Sequence, residues 1–204
     1  MFKIICVTCR ALCGGDFTDR LEKIAAARPD GIILREKDLP EAEYLGLAAK
    51  AADICAGHGV ELILHSFADA ADKLGAKRLH MPLHTLSLMP REQRADLTEL
   101  GASCHSADDA VRAQALGCTY VTAGHVFATD CKRGLAPRGL DFLGEVCRSV
   151  SIPVYAIGGI SEGNIALCRA RGAAGACVMS GFMRCADPSA YLKALREAAN
   201  NPAT

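Results

Sequence analysis

The sequence predicts an α/β protein, a single-domain (β/α)8 or TIM barrel spanning residues 1–204. Three observations lead there. Short apolar runs alternate with amphipathic helical stretches along the chain, and that alternation calls for a parallel sheet covered by helices. Eight such units are present, and eight units closing on themselves make the barrel, here near its lower size limit. Chemically useful residues follow many of the runs. An open doubly wound sheet would gather them at one switch point, and no GxGxxG follows the first run.

Each unit has its own signals. Phe2–Thr8 reads as the first strand and Phe17–Ala27 as its helix. Gly31–Leu34 is the second strand; Pro40 opens a long helix to about Ala56, with Gly57 and Gly59 as stop signals. Val60–Leu64 is the third strand, and Ala68–Leu74 a short helix closed by Gly75. Arg78–Met81 is the fourth, followed by a helix over Pro90–Leu100 that stops at Gly101. Ala102–Cys104 is the fifth; Ser106 caps a helix over Ala107–Leu116 that ends at Gly117. Tyr120–Ala123 is the sixth strand, with a helix over Leu140–Val150, and Pro153–Ile157 is the seventh. Ser161 caps the next helix, which ends at Gly172; Gly175–Met179 is the eighth strand, and Asp187 caps the last helix, Pro188–Ala199.

Composition excludes several classes of function. The 23 basic and 23 acidic residues balance, so the chain lacks the basic footprint of a nucleic-acid binder. No apolar run approaches the roughly 18 residues that span a bilayer, and MFKIICVTCR reads as a strand rather than a signal peptide. The expected location is cytoplasmic, with no nucleic-acid or membrane partner. The 11 cysteines are scattered, mostly inside apolar runs where a thiol acts as a small hydrophobe. Cys6-x-x-Cys9 has no second pair, and a strand turns its two thiols to opposite faces.

The stretch Tyr120–Gly139, YVTAGHVFATDCKRGLAPRG, concentrates the chemistry. A buried-strand pattern breaks at Gly124-His125 into a loop carrying Thr129, Asp130, Cys131, Lys132, Arg133 and Arg138. In a barrel, catalytic groups collect at the C-terminal strand ends. There the second strand offers Arg35 and Lys37, the third His65 and Ser66, the fifth Ser103 and His105, and the sixth His125 and Lys132. The seventh and eighth end in AIGGIS and VMSGF. Glycines in paired loops let backbone N–H groups approach an anion, so Gly158, Gly159, Met179 and Ser180 are expected to hold a phosphate. Of the six histidines, His125 directly ends a core strand and is the candidate acid–base group, because an imidazole both takes and returns a proton near neutrality. His80 and His84 have helical ligand spacing, but Pro82 lies between them and no carboxylate is near. No metal and no cofactor are expected.

ILREK around Arg35, GHVFATDCKRGLAPRG at Gly124–Gly139, AIGGI and VMSG resemble the thiamine-phosphate synthase superfamily over nearly the whole chain. The resemblance implies a barrel domain of that type and a small-molecule thiazole phosphate as partner. The synthase branch carries an Asn-Asp pair after strand 3 and Gly-Gln-Glu-Asp after strand 4; here stand His65-Ser66 and Met81-Pro82-Leu83-His84. Those missing carboxylates would hold Mg²⁺ and diphosphate. The tautomerase branch needs no metal, and its strand 6 loop, GHVFxTDCKxG, matches Gly124–Gly134. The resemblance to that branch implies isomerisation of an exocyclic-alkene carboxythiazole phosphate to the aromatic carboxythiazole phosphate, with His125 moving the proton. Arg35, Lys37 or Lys132 would meet the carboxylate, Arg35 first, with Ser103 lining the pocket. The alternatives are a thiamine-phosphate synthase, a transferase joining a pyrimidine diphosphate to a thiazole phosphate, and a non-enzymatic sensor of thiazole or thiamine phosphates. A homodimer is compatible with any of these.

Overall fold

Each apolar run becomes a strand, and each strand pairs in parallel with the next. The computed structural model describes residues 1–132 and 134–201. Its strands are β1 (Lys3–Val7), β2 (Gly31–Leu34), β3 (Leu62–His65), β4 (Arg78–Pro82), β5 (Glu99–Cys104), β6 (Tyr120–Gly124), β7 (Val154–Ile157) and β8 (Gly175–Val178). The pairing of β8 with β1, Lys3 against Gly175 through Cys6 against Val178, closes the barrel. The helices are α1 (Phe17–Ala27), α2 (Glu41–His58), α3 (Ala68–Lys73), α4 (Leu83–Leu86), α5 (Arg91–Ala95), α6 (Ala107–Ala115), α7 (Gly139–Ser149), α8 (Ile165–Ala170), α9 (Ser180–Arg184) and α10 (Pro188–Asn200).

Strand alternation divides the apolar side chains into two sets. One faces the helices and forms the main core, with Ile4, Cys6, Leu34, Leu64, Leu79 and Val121 packed against residues such as Leu21, Leu143 and Leu195. The other fills the barrel: Ile5, Val7, Ile33, Ile63, Tyr120, Tyr155 and Cys177. The thiols of Cys6, Cys55, Cys104, Cys118, Cys168 and Cys177 are buried, and all 11 cysteines are free.

Side chains cap three helices, at Ser106 and Asp187 as the sequence predicts and also at Asp16. Asp16 accepts from the Asp19 N–H at α1, Ser106 from that of Asp109 at α6, and Asp187 from those of Ser189 and Ala190 at α10. Each such cap is worth about 1 kcal/mol.

Four elements differ from expectation. The helix expected over Pro90–Leu100 is only α5; Leu100 pairs with Leu79 and Gly101 with His80 in the sheet. Gly101 is therefore a strand residue, and a Cβ there would run into the Tyr120 ring and His80 Nδ1. The helix expected to run to about Ala56 continues to His58, and of the two stop signals, Gly57 and Gly59, only Gly59 adopts the left-handed conformation and ends it. Ser161 does not cap α8. Its N–H donates to Asn164 Oδ1, and the helix begins after that turn. Ser180 does not sit in a loop; it starts the short helix α9 directly after β8.

Candidate active site

The C-terminal strand ends enclose a cavity of about 530 Å³. Arg35, Lys37, Ser103, His125, Lys132, Gly158, Gly159, Met179 and Ser180 all line it. The sequence separates these residues by up to six strands; the barrel brings them to one mouth. Arg133, part of the same cationic loop, lies outside the described residues.

Backbone forms the β7–β8 wall. Gly158 and Gly159 both have positive φ, 99° and 67°. A Cβ on Gly158 would collide with the Cβ of His125, so its smallness also serves the approach of the β6 loop. That loop is tied down by Val126 N–H to Ile157 O (2.9 Å) and Phe127 N–H to Gly158 O (3.0 Å). Among the hydrogen bonds of the described residues, the N–H groups of Gly159, Ile160 and Ser180 have no protein acceptor. Three N–H groups at one end of a cavity suit an anion.

The β2 wall is cationic. Arg35 and Lys37 line the cavity, while the intervening Glu36 turns away and is buried. Glu36 accepts from Thr8 Oγ1 (2.6 Å) and from the Arg10 N–H, and Thr8 Oγ1 accepts from the Arg35 N–H (2.9 Å). This anchor ties the β1 and β2 loops together. Burial lowers the Lys37 pKa, and Arg35 and Lys132 lower it further, which puts the three cations around one space.

Side chains of β3 to β5 form the floor. His65 and His80 stack with their centroids 5.5 Å apart. His65 Nδ1 lies 2.7 Å from Ser66 Oγ; His80 Nδ1 lies 3.0 Å from Tyr120 Oη and its Nε2 2.9 Å from Ser103 Oγ. Burial pushes His80 down to about 3, with Lys37 adding to the effect. Burial, then His80, Lys37 and Arg35, push His65 to about 2. Both rings are neutral at pH 7. His80 and His84 are not a helical pair: His80 faces into the barrel, whereas His84 is exposed on α4.

His125 stands at the mouth, its Nε2 3.4 Å from Leu135 O. The peptide joining it to Gly124 is cis. Arg138 N–H donates to His125 O, and His105 Nδ1 donates to Gly124 O (2.8 Å), so the histidine is held from both sides. A side cavity of about 290 Å³ shares His105, His125 and Lys132 with the main one and extends under Leu135–Arg138.

A family model, TMP-TENI, described as thiamine monophosphate synthase, matches residues 4–182. The chain belongs to the TMP-TENI family. It is 35% identical over 188 residues to the thiamine-phosphate synthase of Methanoculleus marisnigri, covering 90% of this chain and 88% of the relative. It is 32% identical over 197 residues to that of a Desulfitobacterium hafniense strain, covering 95% of each. A solved thiamine phosphate pyrophosphorylase from Pyrococcus furiosus superposes with a TM-score of 0.82 at 26% identity, covering 97% of this chain and 95% of that one. These names are those of the transferase; they favour the alternative reading over the isomerase reading.

The donor set at the strand ends differs from what the transferase's Mg²⁺ would need. Magnesium takes hard oxygen ligands. Here β3 ends in His65 and β4 carries His80, both imidazoles already engaged in hydrogen bonds, and the one carboxylate among the described lining residues, Asp109, accepts the His105 N–H at 2.8 Å. Among the described residues, no group of three or more His, Cys, Asp and Glu is placed to hold a metal ion. These residues do not fit a magnesium–diphosphate site.

Tyr120 extends the site beyond the residues singled out in the sequence, and His80, weighed there only as half of a helical pair with His84, belongs to the site on its own. Strand alternation in RLHMP was the available signal for His80; it puts Arg78, His80 and Pro82 on one face.

Proposed function

We propose that this TMP-TENI protein is a metal-independent isomerase that aromatises a carboxythiazole phosphate by proton transfer through His125. The observation that supports it best is the makeup of the cavity: an imidazole at the mouth, Arg35, Lys37 and Lys132 on the walls, and no carboxylate at His65-Ser66 or Met81-Pro82-Leu83-His84, where the family's carboxylates would hold a metal.

The ligand has an anion at each end, and the cavity offers a partner for each. Its phosphate sits on the Gly159, Ile160 and Ser180 N–H groups; its carboxylate faces the cations. The C–H bond at the carboxylate-bearing ring carbon breaks, and the proton passes to the His125 ring. The electron pair spreads through the conjugated ring, and the exocyclic carbon takes the proton back from the imidazolium. Protons and electrons balance within one ligand, so holding the ring still beside one base suffices.

The relatives' names favour a second reading, the transferase that joins a pyrimidine diphosphate to a thiazole phosphate. Both readings share the thiazole phosphate. One paired assay separates them. With a chelator present, the exocyclic-alkene carboxythiazole phosphate is followed by NMR; separately, diphosphate release from the two transferase substrates is followed with Mg²⁺. The isomerase reading expects full turnover in the first and none in the second. The reverse result overturns it.

A further inference from the structure

Inside the barrel, below the cavity, three polar side chains form a line that the mechanism above does not use. Tyr120 is buried on β6, His80 is buried on β4, and Ser103 on β5 reaches the cavity. Gly101 clears the space in which the Tyr120 ring meets His80 Nδ1. The hydrogens of this line are assigned by elimination. Tyr120 Oη has one hydrogen-bond partner among the described residues, His80 Nδ1 at 3.0 Å. A buried phenol hydrogen without an acceptor is costly, so Tyr120 donates and His80 Nδ1 accepts. A neutral imidazole then carries its hydrogen on Nε2, and Nε2 donates to Ser103 Oγ at 2.9 Å. Ser103 Oγ accepts there, and its own hydrogen has no protein acceptor among the described residues. The cavity is the direction left to it. His80, held neutral at pH 7 by burial, does not break the chain of donors by taking a second proton.

We propose that Ser103 is a catalytic hydrogen-bond donor, aimed into the cavity by Tyr120 and His80 as positioning residues, and that it binds a carboxylate oxygen of the ligand. The proposal rests on the isomerase reading and deepens it. When the ring C–H bond breaks, the electron pair delocalises onto that carboxylate as well as into the ring. A donor already pointed at the oxygen stabilises the charge as it grows. Lys37, whose charge is felt by both His65 and His80, lies on the same side and neutralises the carboxylate in the ground state. Ser103 keeps its proton throughout, and no further reactant is needed.

Two measurements on the full-length protein test this. Imidazole ¹⁵N NMR between pH 6 and 8 should find His80 neutral with its hydrogen on Nε2; a hydrogen on Nδ1 overturns the relay. In kinetics, Ser103→Ala should lower kcat about 100-fold, and Tyr120→Phe about 10-fold, each with KM changed less than about twofold. The double variant should be no slower than Ser103→Ala alone, because Tyr120 acts only through Ser103. Losses that multiply would make Tyr120 merely structural, and a Tyr120→Phe enzyme with wild-type kcat would end the proposal. Were the wild type inert toward the carboxythiazole phosphate, the isomerase reading and the catalytic role of Ser103 would both fall. The NMR result would still decide the relay.

Discussion

The β7–β8 side of the cavity and the β3–β5 side are made of different parts of the chain. On the first, Gly158, Gly159 and the start of α9 present backbone N–H groups; on the second, His65, His80 and Ser103 present side chains locked to Ser66, Tyr120 and each other. A backbone cradle recognises any phosphate and carries little information about the rest of the ligand. The carboxylates expected of the transferase are missing beside that floor, at His65-Ser66 and Met81-Pro82-Leu83-His84, so on the proposed isomerase reading the reaction is decided there and phosphate binding is not.

That contrast is open to direct attack. The largest effect belongs to His125, which stands between the two sides. His125→Asn should lower kcat about 10²- to 10⁴-fold, while calorimetry finds the carboxythiazole phosphate still bound. Lost binding instead would make His125 a ligand contact rather than the proton carrier. Next comes the cationic wall: Lys37→Ala should weaken carboxythiazole phosphate binding about 10- to 100-fold. Inorganic phosphate, which needs only the backbone cradle, should bind that variant as it binds the wild type. Equal losses for both ligands would erase the distinction between the sides.

On the backbone side, Gly158→Ala forces a side chain into a φ of 99° and against His125. It should cost about 1–3 kcal/mol of stability in urea denaturation and weaken binding of inorganic phosphate. On the floor, pH should act through the neutral histidines. An unfolded histidine takes up a proton near pH 6.5, roughly, whereas His80 in the fold does so only at about 3 and His65 at about 2. Between those values the unfolded chain binds more protons, so stability falls as the pH drops from 7 toward 4. Each ring contributes up to about 1.4 kcal/mol per pH unit. The variant His80→Gln should show a visibly shallower fall than the wild type; identical slopes would mean that His80 is not buried neutral. The smallest effect is expected at Cys131, exposed in the β6 loop. Cys131→Ser should change kcat by less than about twofold, as befits an exposed side chain outside the mechanism.

Much of the architecture was legible because its signals are local. Ser106 and Asp187 announce their helices, and the apolar runs announce the strands. The stretch Pro90–Leu100 misled because a glycine after an apolar residue marks a helix stop and a strand position equally well. Only the pairing of Gly101 with His80 decides between them. Likewise the four-residue spacing of His80 and His84 suggests a helical pair, whereas the true partner of His80 is Tyr120, 40 residues away. Contacts of that range are set by barrel closure and leave no trace in local spacing. His125 was legible because a strand, a glycine and an imidazole follow one another directly.

The division of the cavity is tested most directly by the structure of the His125→Asn variant soaked with the exocyclic-alkene carboxythiazole phosphate. The phosphate is expected within hydrogen-bond distance of the Gly159 and Ser180 N–H groups, the carboxylate facing Lys37 and Ser103, and the ring carbon beside residue 125. A phosphate seated on Arg35 and Lys37, with the ring turned away from residue 125, would contradict the account.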